Sequence, residues 1–317
     1  DVGRPDLLER AAGVSGTMEG AARQLFGSLQ RFRGLPDYLQ VWPGHGAGSA
    51  CGKALGAVPQ STVGYEKAVN WAFDIREEPA FVRAVLAGQP EPPPYFAQMK
   101  RINKEGPATR PTVPLPELAA AQLDAALAGA MVVVDTRPAD EYAAGHLPGT
   151  LNLPAGGSFL SWAGWLLPYD RPVALIAAPE QAAALRSELQ LIGIDNLAGF
   201  WAPAALAGRA LARYSRMSAA EAAALAAADD TLVLDVRTAA EYAAGHLPGS
   251  VNIPLGQLPK RLAELPRRGT TLVHCQGGSR SPIAASILQA HGWGALVEMH
   301  DGYAGWQALR VHDEVTS

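Results

Sequence analysis

"DTRPADEYAAGHLPGTLNLP" at residues 135–154 and "DVRTAAEYAAGHLPGSVNIP" at residues 235–254 are the same stretch written twice, 100 residues apart. Fourteen of the twenty positions are identical. That separation is the size of a small domain and too long for a stacked solenoid repeat, so it predicts a duplicated module in which each copy buries its own core. The surroundings repeat as well. A β-branched apolar run, "MVVVD" or "TLVLD", leads in; after "NLP" or "NIP" come a helical stretch, a second apolar run ("PVALIA", "TTLVHC") and an Ala-rich helical stretch. Strands alternating with helices predict an α/β fold with a mainly parallel sheet covered on both faces.

The whole chain has 317 residues, which at roughly 100–200 per domain leaves room for two or three. Two Pro-rich stretches, "GQPEPPPYF" at 88–96 and "EGPATRPTVPLP" at 105–116, read as a connector, because proline removes backbone donors and favours extended chain. They place a boundary near residue 110. The second join falls in "RYSRMSAAE" at 213–221, where Ser218 is placed to cap the helix that opens the last module. The expected domains are 1–110, 111–215 and 216–317. A net charge of −4 gives no electrostatic case for nucleic acid or an anionic membrane as partner. No apolar run approaches the roughly 18 residues that span a bilayer, and the opening "DVGRPDLLER" lacks a basic segment followed by an apolar one, so export is not expected. Two cysteines, Cys51 and Cys275, are too few for a disulfide framework, so free thiols in a reducing, cytoplasmic compartment are expected.

One of those thiols lies in "HCQGGSRSPIA", residues 274–284, where the second apolar run of the last module gives way to a helix. A cysteine ending a strand, followed by a glycine-containing loop and a helix, sits where backbone N–H groups and the positive end of the helix dipole converge. Such a place stabilises a thiolate, or the anionic outer sulfur of a persulfide, and should depress the thiol pKa. Gly277 and Gly278 let the backbone curl around the sulfur, and Arg280 adds a permanent cation. The plainer reading, a small buried hydrophobe, is at odds with the polar, glycine-rich loop.

These residues resemble a rhodanese domain: Asp235 and Arg237 match the family's upstream signature, "CQGGSR" matches its active loop, and the likeness spans the last module. "HCQGG" also begins the protein tyrosine phosphatase pattern His-Cys-x-x-Gly-x-x-Arg, but that pattern puts arginine six residues after cysteine. Here residue 281 is Ser and the arginine stands at 280. The shorter loop resembles those that hold a single sulfur, not a phosphoryl group. The resemblance implies a sulfurtransferase in which Cys275 takes sulfur from a sulfane donor as a persulfide and passes it to a thiol or cyanide. The loop N–H groups from Gln276 to Arg280 would stabilise the anion. Cys275 and Arg280 are the expected catalytic residues. Gln276, Gly277, Gly278, Ser279, Asp235 and Arg237 are the expected substrate-binding set, the last two as orienters of the site or of the fold. Small sulfane donors and low-molecular thiols are the expected partners, and a homo-oligomer is left open.

In the first copy the segment answering to "TLVHCQGGSRSPIAASILQAHG" is "PVALIAAPEQAAALRSELQLIG", with no cysteine, no glycine pair and no arginine at the loop. That copy is expected to be an inert scaffold. It keeps "EYAAGHLPG", so His146 and His246 are explained by folding and not assigned to catalysis. Asp135 and Arg137 are expected to serve stability alone.

The first 110 residues hold "VWPGHGAGSACGKALGAVPQSTVGYEK" at 41–67, where a histidine between glycines reads as a ligand loop or an ordinary surface turn. Together with "DVGRPDLLE" at 1–9, "GAARQLFGSLQRF" at 20–32 and "LPDYLQVWPGHG" at 35–46, it resembles the closing third of a metallo-β-lactamase αββα domain of the glyoxalase II and persulfide dioxygenase group. The resemblance places the family's main metal ligands, a His-x-His-x-Asp-His cluster with a further histidine and an aspartate, before residue 1, which suggests a longer chain. His45 corresponds to the family's last histidine, Arg4 and Asp6 match a stretch that supports the ligands from behind, and Cys51 could face the same pocket or simply be buried. Lys53 could meet an anionic substrate group or be solvated. No metal or other cofactor is expected to bind this chain alone; iron, alternatively zinc, belongs to the complete domain. The combined reading is a rhodanese-type sulfurtransferase coupled to a persulfide dioxygenase. A glyoxalase II-like thiolester hydrolase and a non-catalytic sulfur-sensing or interaction module are the alternatives.

Overall fold

The computed structural model of the chain describes residues 3–11, 13–44, 58–89, 91–107, 109, 113–267 and 269–316. The chain divides into two units, residues 1–106 and 107–317. In the first, Ala22, Leu25, Phe26 and Leu29 recur at the three-and-four spacing of one helix face, and the helix Met18–Arg33 lays them against Phe81, Val82 and Val85 of the helix Glu78–Leu86. The Phe26 and Phe81 rings stand 5.4 Å apart. A short antiparallel ribbon pairs Gln40–Val41 with Ser61–Thr62, and Thr62 caps the helix Val63–Val69 by accepting the Tyr65 N–H.

The second unit holds two parallel α/β modules. The first sheet runs Leu151–Asn152, Val132–Asp135, Val173–Ile176, Leu197–Trp201, and the second runs Ser215–Met217, Leu296–Met299, Thr270–His274, Thr231–Asp235, Val251–Asn252. All pairings within both are parallel. Helices on both faces explain why the central strands are apolar end to end and do not alternate. Val133, Ala174, Ile176 and Trp201 centre one core; Val233, Leu272, Val297 and Met299 centre the other. The strand Ser215–Met217 pairs with Leu296–Met299, so the second module starts by Ser215, one residue before the expected 216. Ser218 caps the next helix as expected, in a reciprocal box with Glu221.

The helix Ser281–Ala290 reads "SPIAASILQA", small or apolar on every face, and is buried from Ser281 through Leu288. Part of that cover comes from the first module. The Asn152 N–H donates to Ser286 Oγ at 3.0 Å; elsewhere between the modules, the turn at Gly256 lies so close to the Trp165 indole that a Cβ would overlap it. The first module therefore helps to seat the helix that follows the loop of Cys275.

Candidate active site

The strand Thr270–His274 lies in the middle of its sheet and delivers Cys275 to the sheet's carboxyl end. Five residues, Gln276–Arg280, then turn the chain into the helix Ser281–Ala290, whose Pro282 suits a first turn that needs no donor. Cys275 is fully buried. Its Sγ receives the N–H of Gly278 at 3.2 Å and of Arg280 at 3.4 Å. Gly278 sits at φ +83°, and a Cβ there would run into the His300 carbonyl oxygen. At Gly277 a Cβ would meet open space, so the expectation that both glycines serve the curl is corrected to Gly278 alone. Behind the loop the Tyr303 N–H donates to the Cys275 carbonyl at 2.8 Å and the Ala304 N–H to that of Gln276 at 3.0 Å.

Arg280 is held by a partner that the sequence reading missed. Its Nη1 and Nη2 donate to the two oxygens of Glu241 at 2.8 and 2.7 Å. Glu241 also takes the N–H and hydroxyl of Thr238 at the start of the helix Ala239–Ala243. The Arg280 hydrogen bonds, joined by those of Thr238, outweigh burial and hold the Glu241 carboxyl down to about 2.

Asp235 and Arg237 are 0% and 1% exposed, buried like Cys275 itself, and they meet the loop from behind, as orienters would. Arg237 grips Asp235 through Nε at 3.0 Å and Nη2 at 2.6 Å, donates to the Gly245 carbonyl at 2.7 Å and lies 4.0 Å over the Tyr303 ring. Its Nη1 donates to Gln276 Oε1 at 3.1 Å, so Gln276 faces inward and ties the pair to the loop. Ser279 and Gly277 form the exposed rim. His274 is buried, and burial holds its imidazole below the usual range although Asp235 acts the other way.

Ser281 and Glu298 were also not foreseen. Ser281 Oγ stands 3.6 Å from Cys275 Sγ and donates to Glu298 Oε1 at 2.8 Å. Glu298 is fully buried and ion-paired with Arg216, which also reaches Asp140 of the first module. The available signal was a lone carboxylate in the apolar run "LVEM", a residue that is buried only when paired.

In the first module Asp135 pairs with Ile176 as Asp235 pairs with His274, which makes Ala177 the counterpart of Cys275. This shifts the expected alignment by one residue. Only Ala178 then separates Ala177 from the helix Pro179–Leu191, so the loop is missing along with the thiol. The clamp persists: Arg137 holds Asp135 and the Gly145 carbonyl, and Asn152 spans the Asp135 and Arg137 carbonyls. His146 and His246 each stack on a tyrosine four residues back and donate Nδ1–H to its carbonyl. Both are spoken for by the fold.

In the N-terminal unit Arg4 binds Asp6 at 2.8 and 2.6 Å. Burial works to raise the Asp6 carboxyl, but the hydrogen bonds and charge of Arg4 prevail and hold it below its usual range. His45, Cys51 and Lys53 lie outside the described residues. Among the described residues no three His, Cys, Asp or Glu side chains are grouped to hold a metal ion, and no described helix is long and apolar enough to cross a membrane.

The rhodanese-like domain family matches residues 119–207 and 218–309, more than half of the chain, and the chain belongs to that family. A sulfurtransferase of Allochromatium vinosum is 33% identical over 82 residues, which cover 26% of this chain and 77% of that protein. The thiosulfate sulfurtransferase GlpE of Tolumonas auensis is 25% identical over 97 residues, covering 31% and 92%. Among solved structures, a metallo-beta-lactamase from Staphylococcus aureus matches with a TM-score of 0.54 and 42% identity over 63% of this chain. This chain spans 56% of that neighbour's length. A metallo-β-lactamase-type region fused to two rhodanese modules is the architecture these matches define.

Proposed function

We propose that the chain is a sulfurtransferase that works through a persulfide on Cys275. The observation that carries this reading is the pair of loop N–H groups, from Gly278 and Arg280, aimed at Sγ at a strand-to-helix turn. Thiolate attack on the outer sulfur of a sulfane donor forms the Cys275 S–S bond as the donor's own S–S bond breaks; from thiosulfate the leaving group is sulfite. A thiol or cyanide then attacks the outer persulfide sulfur and the Cys275 thiolate leaves. Arg280 is the rim cation, held in place by Glu241. Incubation with thiosulfate should add one sulfur atom to the intact protein, and Cys275→Ser should lose both this adduct and thiocyanate formation while melting unchanged. Transfer by Cys275→Ser, or sulfur found on Cys51, would refute the assignment.

The N-terminal resemblance supports a persulfide dioxygenase as the coupled activity in a complete protein, since that reaction yields sulfite, itself a sulfur acceptor. Oxygen uptake with a low-molecular persulfide, in protein that includes a His-x-His-x-Asp-His segment, tests this. Thioester hydrolysis without oxygen uptake would favour the glyoxalase II-like alternative instead.

A further inference from the structure

Two side chains beside the sulfur carry protons that could stabilise its anion, and they are placed differently. Arg280 gives one proton from each terminal nitrogen to Glu241, which leaves three of its five N–H donors, and its charge and side chain still interact with Cys275. Ser281 gives its only proton to Glu298, which is locked in turn by Arg216. A hydroxyl that donates to a carboxylate can offer the sulfur only lone pairs. We propose that Glu298 is a positioning residue for Cys275: by taking the Ser281 proton it makes the hydroxyl an acceptor toward Sγ, so that Ser281 favours the protonated thiol while the backbone amides and Arg280 hold the anion.

This rests on Cys275 as the working thiol, and its sign is opposite to that expected of a hydroxyl placed beside a nucleophilic sulfur to stabilise the anion. Among the described residues, the charged and titratable groups packed around the loop are His274 on the same strand, Arg280 with Glu241, Asp235 with Arg237, Glu298 with Arg216, Tyr303 under Arg237, and His300 and Asp301 on the turn that lies against Gly278. Asp140 extends the chain of contacts through Arg216, so the inert module supports the carboxylate that orients Ser281.

The test is the pH dependence of Cys275 alkylation by iodoacetamide, followed on the Cys275 peptide by mass spectrometry in a Cys51→Ser background. Ser281→Ala should move the midpoint down by roughly half a unit to one unit, the worth of one hydrogen bond to the thiol. Ser281→Thr, which keeps the hydroxyl, should restore the wild-type midpoint. Glu298→Gln should also move it down, because a negative charge near the thiolate is gone. An unchanged or upward midpoint in Ser281→Ala overturns the proposal, and if that variant does not fold, an upward shift in Glu298→Gln does so. The Cys275→Ser transfer assay is independent of these outcomes, so loss of the sulfurtransferase reading would be recognised separately.

Discussion

In the first module the strand Val173–Ile176 passes through Ala177 and Ala178 straight into the helix Pro179–Leu191, whereas in the second the strand Thr270–His274 passes through Cys275 and Gln276–Arg280 before its helix begins. Both keep the aspartate–arginine clamp, the asparagine that ties its carbonyls and the tyrosine–histidine stack. What is common to both therefore holds the fold. What differs is the loop and the contacts that it and the first residue of its helix make: Arg280 with Glu241, Gln276 with Arg237 and Ser281 with Glu298. The same aspartate–arginine pair is a structural clamp in one module and a support for a reactive loop in the other.

The comparison breaks most sharply at Gly278. Gly278→Ala forces a side chain onto the His300 carbonyl at positive φ, so sulfur transfer should fall on the order of a hundredfold, as expected when reacting groups are displaced, with a lower melting temperature. Gly277→Ala should stay within about twofold, since its Cβ meets open space and an exposed substitution changes little. Equal losses at the two glycines would mean that loop curvature is not what separates the modules.

Next come the two clamps. Arg237→Ala strands a fully buried Asp235 and should cost about 3–5 kcal/mol in denaturant melts, with lower transfer per folded molecule because Gln276 loses its anchor. Arg137→Ala, from a pair in which the arginine is 14% exposed, should cost less and leave transfer per folded molecule intact. A fall in turnover at unchanged stability in Arg137→Ala would show that the first module reaches the chemistry through its clamp.

Glu241→Gln gives a smaller effect with a defined pH signature. The folded carboxyl is lowered from 4.5 to about 2, so its stabilisation is full above about 4.5 and disappears as pH falls toward 2. The melting difference between wild type and Glu241→Gln should therefore be flat above about pH 5 and shrink below it. Because Glu241 is about one-third exposed, the plateau should be on the order of 1 kcal/mol. A difference that grows as pH falls would contradict the ion pair.

The smallest effect is at Asp140, which is 84% exposed where it meets Arg216. Asp140→Asn should change stability by less than about 1 kcal/mol, and the difference should fade with added salt. A large, salt-insensitive loss would mean that the modules are joined there more tightly than an exposed pair allows.

Much of this was legible from local pattern. The 100-residue repeat, the apolar strands and the cysteine before a glycine-bearing loop are read along the chain, because strand burial and a strand-to-helix turn depend on neighbouring residues. The alignment of the copies was off by one because only pairing to Asp135 and Asp235 sets the register. Asp235 and Arg237 were read as orienters of the site or of the fold, and only the folded chain shows the contact, from Arg237 to Gln276, through which they meet the loop. Glu241 was hidden by its identity to Glu141: a shared residue reads as folding until the loop of one copy supplies Arg280 to meet it.

The sequence by itself determined two parallel α/β modules, one thiol in a loop built for an anion, and a copy without either, since each follows from residue types in consecutive positions. Only the tertiary structure decided which way the protons beside that sulfur point. Ser281 meets Glu298 from the neighbouring strand, and Glu298 meets Arg216, which meets Asp140 of the other module. These partners lie far apart in the chain, and they come within hydrogen-bond reach only once strand order and register are set, because a hydrogen bond depends on distance and direction and not on sequence separation.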